Sequence, residues 1–172
     1  MAEDQRILAM QVKTNLQVLK RSNRPPQPGD VFAMKLPTGK YLFGTVLLAD
    51  VPRDRAPMPG ANLLYIYERQ SDTRQPDYAD LQPNRLLLAP LWTNRLAWTK
   101  GYFETVSNRA LSRSDLVKQH CFYRAATEKF VDETGAVLAR RSDPCGEWGL
   151  VSYRWIDDHV SDAVGIPRAP EE

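Results

Sequence analysis

The run from Asp30 to Asp50, "DVFAMKLPTGKYLFGTVLLAD", constrains the fold more than any other stretch: two segments rich in apolar and aromatic residues flank a Pro-Thr-Gly turn. Pairing Leu36 with Tyr41 leaves the loop Pro37-Thr38-Gly39-Lys40, in which proline suits an early turn position and Gly39 supplies a positive φ. In that register Phe32, Met34 and Leu36 share a face with Tyr41, Phe43 and Thr45. Ala33 then sits opposite Gly44, where small side chains let strands bend or another element approach. A hairpin of this kind opens a strongly bent sheet or a small barrel.

Further strands are expected at Leu63–Tyr67, Leu86–Leu91 and Tyr102–Val106, followed by a hairpin around Glu133-Thr134-Gly135 and a last strand in "EWGLVSYRWI". Two long polar segments, 51–61 and 69–85, interrupt this β-rich core, and loops of that length in a compact domain are usually functional or mobile. Ile7, Leu8, Val12, Leu16 and Leu19 recur near a 3.6-residue period and predict an amphipathic helix over 3–20, which "NRPPQPGD" ends. A short helix capped by Ser112 or Ser114 is expected, as is a final helix near Ile156 to Val164, stopped by Gly165 and Pro167. The resulting fold class is α+β, mainly β: a strongly bent antiparallel sheet or small SH3-like barrel with a helix at each end. One domain spans 1–172, with an N-terminal helical arm over 1–24 and a β-rich body over 28–166.

At 172 residues such a domain buries roughly 70% of its unfolded surface and needs neither disulfide nor metal for stability. No apolar run approaches the ~18 residues of a membrane span, and "MAEDQRILAMQ" lacks the apolar core of a signal peptide, so a cytoplasmic protein with no membrane partner is expected. Cys121 and Cys145 lie far apart without a CxxC partner, and read as free structural cysteines. Charge is uneven: nine Lys/Arg stand against five Asp/Glu over 1–60, nine against six over 61–126, and five against ten over 127–172. An acidic C-terminal third suits a basic partner better than nucleic acid.

Known catalytic patterns are missing. The sequence has no GxxxxGK[ST], GxGxxG or HExxH and no Cys/His cluster, so no cofactor is expected. Of the two histidines, His120 and His159, the latter could in principle pair with Cys121 as base and nucleophile, but nothing local activates them, and adjacent acids such as Asp157-Asp158 diverge on a helix. "PGDV" leading into a hairpin looks like the start of small-barrel endoribonucleases of toxin–antitoxin systems, the alternative reading. Arg53, Arg55, Arg69 and Arg74 in the two loops would then be its nucleic-acid or partner contacts.

A broader resemblance rests on three motifs: "GDVFAMKLPTGKYLFGTVL" (29–47), "NRLAWTKGYFETV" (94–106) and "DPCGEWGLVSYRWIDDHVSDAVG" (143–165). Their order and spacing resemble the immunity protein 26 family of bacterial polymorphic toxin systems. The resemblance implies a mostly β, non-enzymatic protein that protects by binding a cognate toxin domain. The matching positions are Gly29, Asp30, Phe32, Gly39, Gly44, Trp98, Gly101, Tyr102, Phe103, Gly146, Gly149, Tyr153, Ile156 and Asp157. Most are aromatic or glycine, so Trp98, Tyr102, Phe103, Gly39 and Gly44 are expected to be structural. Partner contacts are expected among the acids Asp132, Glu133, Asp157, Asp158 and Asp162, whose carboxylates would imitate phosphate to a basic toxin cleft, and among the loop arginines. Asp157 has helix capping as its structural alternative. The sequence leaves oligomeric state open.

Overall fold

Residues 13–171 are described by the computed structural model. The first hairpin joins β1 (Asp30–Lys35) to β2 (Tyr41–Val51), in a register one residue from the expected pairing: Lys35 faces Tyr41, Ala33 faces Phe43 and Phe32 faces Gly44. Only Pro37, Thr38 and Gly39 make the turn. Leu36 N–H donates to Lys40 O at 2.8 Å, Gly39 N–H donates to Leu36 O at 3.0 Å, and Gly39 takes φ 87°. Inward–outward alternation does not select this register, because Val31 to Met34 are buried on both faces. Steric fit does, since Gly44 is the residue that leaves room for the Phe32 ring.

The main sheet continues through β3 (Ala61–Ile66), β4 (Leu91–Thr93) and β5 (Glu104–Asn108), and ends with the short β9 (Leu150–Val151). Its strand order is β5-β1-β2-β3-β4-β9, antiparallel except for β4 against β9. Bulges bend it at Val31/Phe32 and twice along β2, yet β5 and β9 remain separate edges and the sheet does not close into a barrel. Leu86 makes only an isolated bridge to Tyr67, so the strand expected at Leu86–Leu91 begins at its last residue.

A second sheet, β7-β6-β8, is built from β6 (Cys121–Arg124), β7 (Lys129–Val131) and β8 (Cys145–Glu147), with β6 and β8 parallel. The turn between β6 and β7 carries Glu128 at φ 54°. The Glu133–Gly135 turn follows β7, where Gly135 N–H reaches Asp132 O at 3.0 Å and Val137 bridges back to Val131.

Alternation along β1, β2 and β3 sorts two cores. Val31, Ala33, Phe43, Leu63 and Tyr65 meet Phe122 and Val131 of the second sheet, with Trp92 between. Phe32, Met34, Leu42, Leu64 and Ile66 face the other way, against α1 (Leu96–Thr99) and α2 (Tyr153–Val164), where Trp98, Phe103, Ile156 and Val160 are buried. Trp98 is 2% exposed and meets Phe32 and Phe103 edge-on at 5.3 and 5.0 Å. Tyr102 stacks on Tyr153.

α2 starts three residues earlier than the apolar spacing suggests. Ser152 accepts from Trp155 N–H at 3.0 Å and caps it, so "YRWI" is helix and not strand; left-handed Gly165 closes the other end. Ser112, not Ser114, caps a single 3-10 turn over Arg113–Asp115. The expected N-terminal helix lies outside the described residues over 3–12, and residues 13–20 are not helical. Their backbone donors are taken by the body: Gln17 N–H by Lys35 O at 3.0 Å and Leu19 N–H by Gly101 O at 2.8 Å, while Leu16 enters the α2-side core.

Candidate functional site

Tyr65, one residue from the end of β3, aligns with two titratable groups. Its hydroxyl lies 2.7 Å from His120 Nε2 and accepts from Val117 N–H at 3.0 Å, and His120 Nδ1 lies 3.4 Å from Glu133 Oε2. A hydroxyl, imidazole and carboxylate in line have the connectivity of a nucleophile relay. The surroundings oppose that chemistry. Tyr65 is fully buried and its phenol pKa is pushed up to about 12, first by desolvation, so it remains protonated. The hydrogen bond from His120 holds Glu133 below the ordinary carboxylate range. Each polar atom is thus spent on fixing the 112–120 loop and the turn after β7 against the sheet.

The five candidate acids do not assemble into one patch. Asp132 and Glu133 lie on the second-sheet side, whereas Asp157, Asp158 and Asp162 lie on α2 across the main sheet. Asp132 folds its own turn, accepting from Thr134 N–H at 2.8 Å and Ala136 N–H at 3.1 Å. Asp157 is buried inside α2, where it caps no helix; its two oxygens accept Asn15 N–H at 3.0 Å and Leu16 N–H at 2.7 Å, and burial raises its pKa. Asp158 pairs with Arg154 at 3.3 Å, and Asp162 takes a two-pronged contact from Arg168 that lowers its pKa.

The four arginines also separate. Arg74 pairs with Glu104 on edge strand β5 at 3.0 Å, and nearby Tyr78 donates to Ser107 at 2.8 Å, so the 69–85 loop is anchored along that edge. Arg69 borders a polar cleft of about 360 Å³ floored by Phe43 and Leu81. Arg53 and Arg55 flank Asp54 in a 3-10 turn in the β2–β3 loop, exposed and outside any ion pair among the described residues.

That last loop is held at both ends. Asp50 adopts φ 48°, and its N–H donates to Asn62 Oδ1 at 3.0 Å, while Asn62 Nδ2 reaches Thr93 O at 3.3 Å. Buried Ala56 pins its middle to the core. Asp50 and Gly60, the two shoulders, line a cavity of about 270 Å³ with Pro25, Pro26, Asn62, Asn94 and Arg95. Met58, two residues before Gly60 in the same loop, is 52% exposed, and Leu96, next to Arg95 in the chain, is 38% exposed. Arginine and methionine beside an open cavity are the residue types that protein interfaces favour. The sequence pointed to Arg53 and Arg55, whereas Met58, Arg95 and Leu96 went unread, because only the β3–β4 pairing of Asn62 with Thr93 carries the 94–96 turn to this end.

Among the described residues, no group of three or more His, Cys, Asp or Glu side chains could hold a metal ion, and no helix is long and apolar enough to cross a membrane.

The molecule is therefore a mainly β scaffold whose long loops are fixed to a rigid sheet. Its sequence matches the family described as Immunity protein 26 over residues 27–130, well over half of the chain, and the chain belongs to that family, a group of immunity proteins of toxin systems that are generally not enzymes. No curated protein and no solved structure matches it.

Proposed function

We propose that this protein neutralises a cognate toxin domain by binding it directly, and that the binding face is the end of the main sheet formed by the 51–60 loop and Asn94–Leu96. Membership of the immunity protein 26 family, with the match covering this loop, carries the reading. The surface chemistry supports it. Arg53, Arg55 and Arg95 supply long planar donors, Met58 and Leu96 supply apolar area, and the cavity between Asp50 and Asn94 offers a socket for a partner side chain. The loop is pre-ordered by Asn62 and Ala56, which lowers the ordering cost of association. Asp132, Glu133, Asp158 and Asp162, already paired within the fold, act on encounter more than on the bound contact, as do Arg69 and Arg74. The body over 28–166 folds as one unit in the cytoplasm of the protected cell.

The decisive experiment is co-expression with a candidate toxin domain, sought first in the neighbouring gene, followed by purification through the toxin. A stoichiometric complex and restored growth are expected. Restored growth without any complex, together with turnover of toxin or its substrate by this chain, would replace binding with an enzymatic mode of protection.

A further inference from the structure

Cys121 and Cys145 are 24 residues apart in sequence, yet they face one another as register partners across parallel strands β6 and β8. Their Sγ atoms lie 2.9 Å apart, and both are free thiols in this structure. Cys121 is fully buried, where Ser142 N–H points at its sulfur from 3.5 Å; Cys145 is half-buried and so the more accessible of the two. The strands are not free to drift apart. Gly146 packs on the Pro90 carbonyl so closely that a Cβ there would fall 2.2 Å from its oxygen, and Trp148 N–H is held by Tyr123 O at 2.9 Å.

We propose that this pair is a redox modification site, which a small-molecule disulfide such as oxidised glutathione converts to an intramolecular Cys121–Cys145 bond. The Cys145 thiolate, the accessible one, attacks one sulfur of the reagent. Its S–S bond breaks, a Cys145–glutathione bond forms, and one glutathione thiolate leaves. Cys121 then attacks the Cys145 sulfur, releasing the second glutathione. Two protein thiols are oxidised by two electrons, one reagent disulfide is reduced by two, and the two thiol protons end on the two glutathiones. Desolvation and the neighbouring thiol raise the Cys145 pKa, so exchange is slow at neutral pH and accelerates about tenfold per pH unit. The bond ties β6 to β8, and β8 leads directly into β9 and α2, so oxidation fastens the C-terminal part of the chain to the second sheet.

The test treats the intact protein with oxidised glutathione at mildly alkaline pH and reads free thiols, intact mass and melting temperature. Expected are loss of both thiols, a mass lower by two hydrogens, a linked peptide pair containing residues 121 and 145, and a melting temperature raised by about 5–10 °C. Cys121→Ser should stop at a stable glutathione adduct on Cys145, and Cys145→Ser should not react in the folded state. A persistent adduct on the unaltered protein, a disulfide-linked dimer, or two thiols untouched under conditions that oxidise the denatured chain would overturn the proposal.

Discussion

The Phe32 ring lies across Gly44: a Cβ built on Gly44 falls 2.2 Å from Phe32 Cζ and 2.6 Å from the Tyr65 carbonyl oxygen. One neighbour is a buried ring stacked on Phe103 at 4.5 Å and the other is backbone of β3, so neither can yield cheaply. Gly44→Ala is expected to cost about 3 kcal/mol and to lower the melting temperature by about 6–12 °C. Pairing it with Phe32→Leu should recover part of that loss, a coupling readable in a double-mutant cycle. Gly149→Ala, where a Cβ meets nothing within 4 Å, is the control and should melt close to wild type. Equal losses at both glycines would show that close approach at Gly44 does not set the register.

This contact also shows what the sequence could and could not reveal. Strand content is readable from "DVFAMK" and "YLFGTVLL", but a hairpin buried on both faces has no in–out alternation to fix its register, and the observed pairing is one residue from the one the turn suggests. Residues 13–20 have helical spacing, yet Lys35, Gly101 and Asp157 compete for their N–H groups and win. β8 and β9 are three and two residues long and join by parallel pairing, which leaves no local signature; that pairing is what juxtaposes Cys121 with Cys145. The acidic C-terminal block was real as composition. The main sheet divides it, so it never becomes one surface.

The Tyr65–His120–Glu133 line gives a stability prediction with a defined pH dependence. Tyr65→Phe removes the partner of Val117 N–H and of His120 Nε2 and should cost about 2–3 kcal/mol in chemical denaturation without altering the secondary structure. Glu133 is held below its ordinary pKa, so the stability it contributes is present above the unfolded carboxylate value of about 4.3 and disappears as pH falls through the lower folded value. Glu133 is 37% exposed, and solvent screening keeps the gain to at most about 1 kcal/mol. Wild type should therefore exceed Glu133→Gln by that margin at neutral pH and converge with it in acid. A difference that grows as pH falls would reverse the assignment.

Asp157 anchors the entering chain to α2 through Asn15 and Leu16 N–H. Asp157→Ala should cost about 3 kcal/mol, because one buried and one half-buried donor lose a charged acceptor. It should also expose residues 13–20 to proteolysis ahead of the rest of the fold. Asp157→Asn, which keeps one carbonyl oxygen, should fall between. Unchanged protease resistance of that segment in Asp157→Ala would mean that Leu16 burial alone holds it.

The proposed docking face makes the sharpest demand on binding kinetics. Met58→Asp puts a charge on an exposed apolar residue of the proposed face, and Arg53→Ala with Arg55→Ala removes its donors; these residues lie on an exposed loop, and both variants should melt like wild type. Against the cognate toxin domain, Met58→Asp is expected to weaken affinity by about 100-fold, close to 2.7 kcal/mol, mainly through faster dissociation. Neutralising Asp132, Glu133, Asp158 and Asp162 together should instead change affinity by less than about fivefold and act on the association rate and its salt dependence. The two sets sit at different places on the fold, so their effects should add. If Met58→Asp and the double arginine variant bind like wild type while the neutralised acids lose most of the association rate at low salt, the toxin docks elsewhere. One of the two acidic groups, that of α2 or that of the turn after β7, would then be its contact, and neutralising each pair separately would tell which.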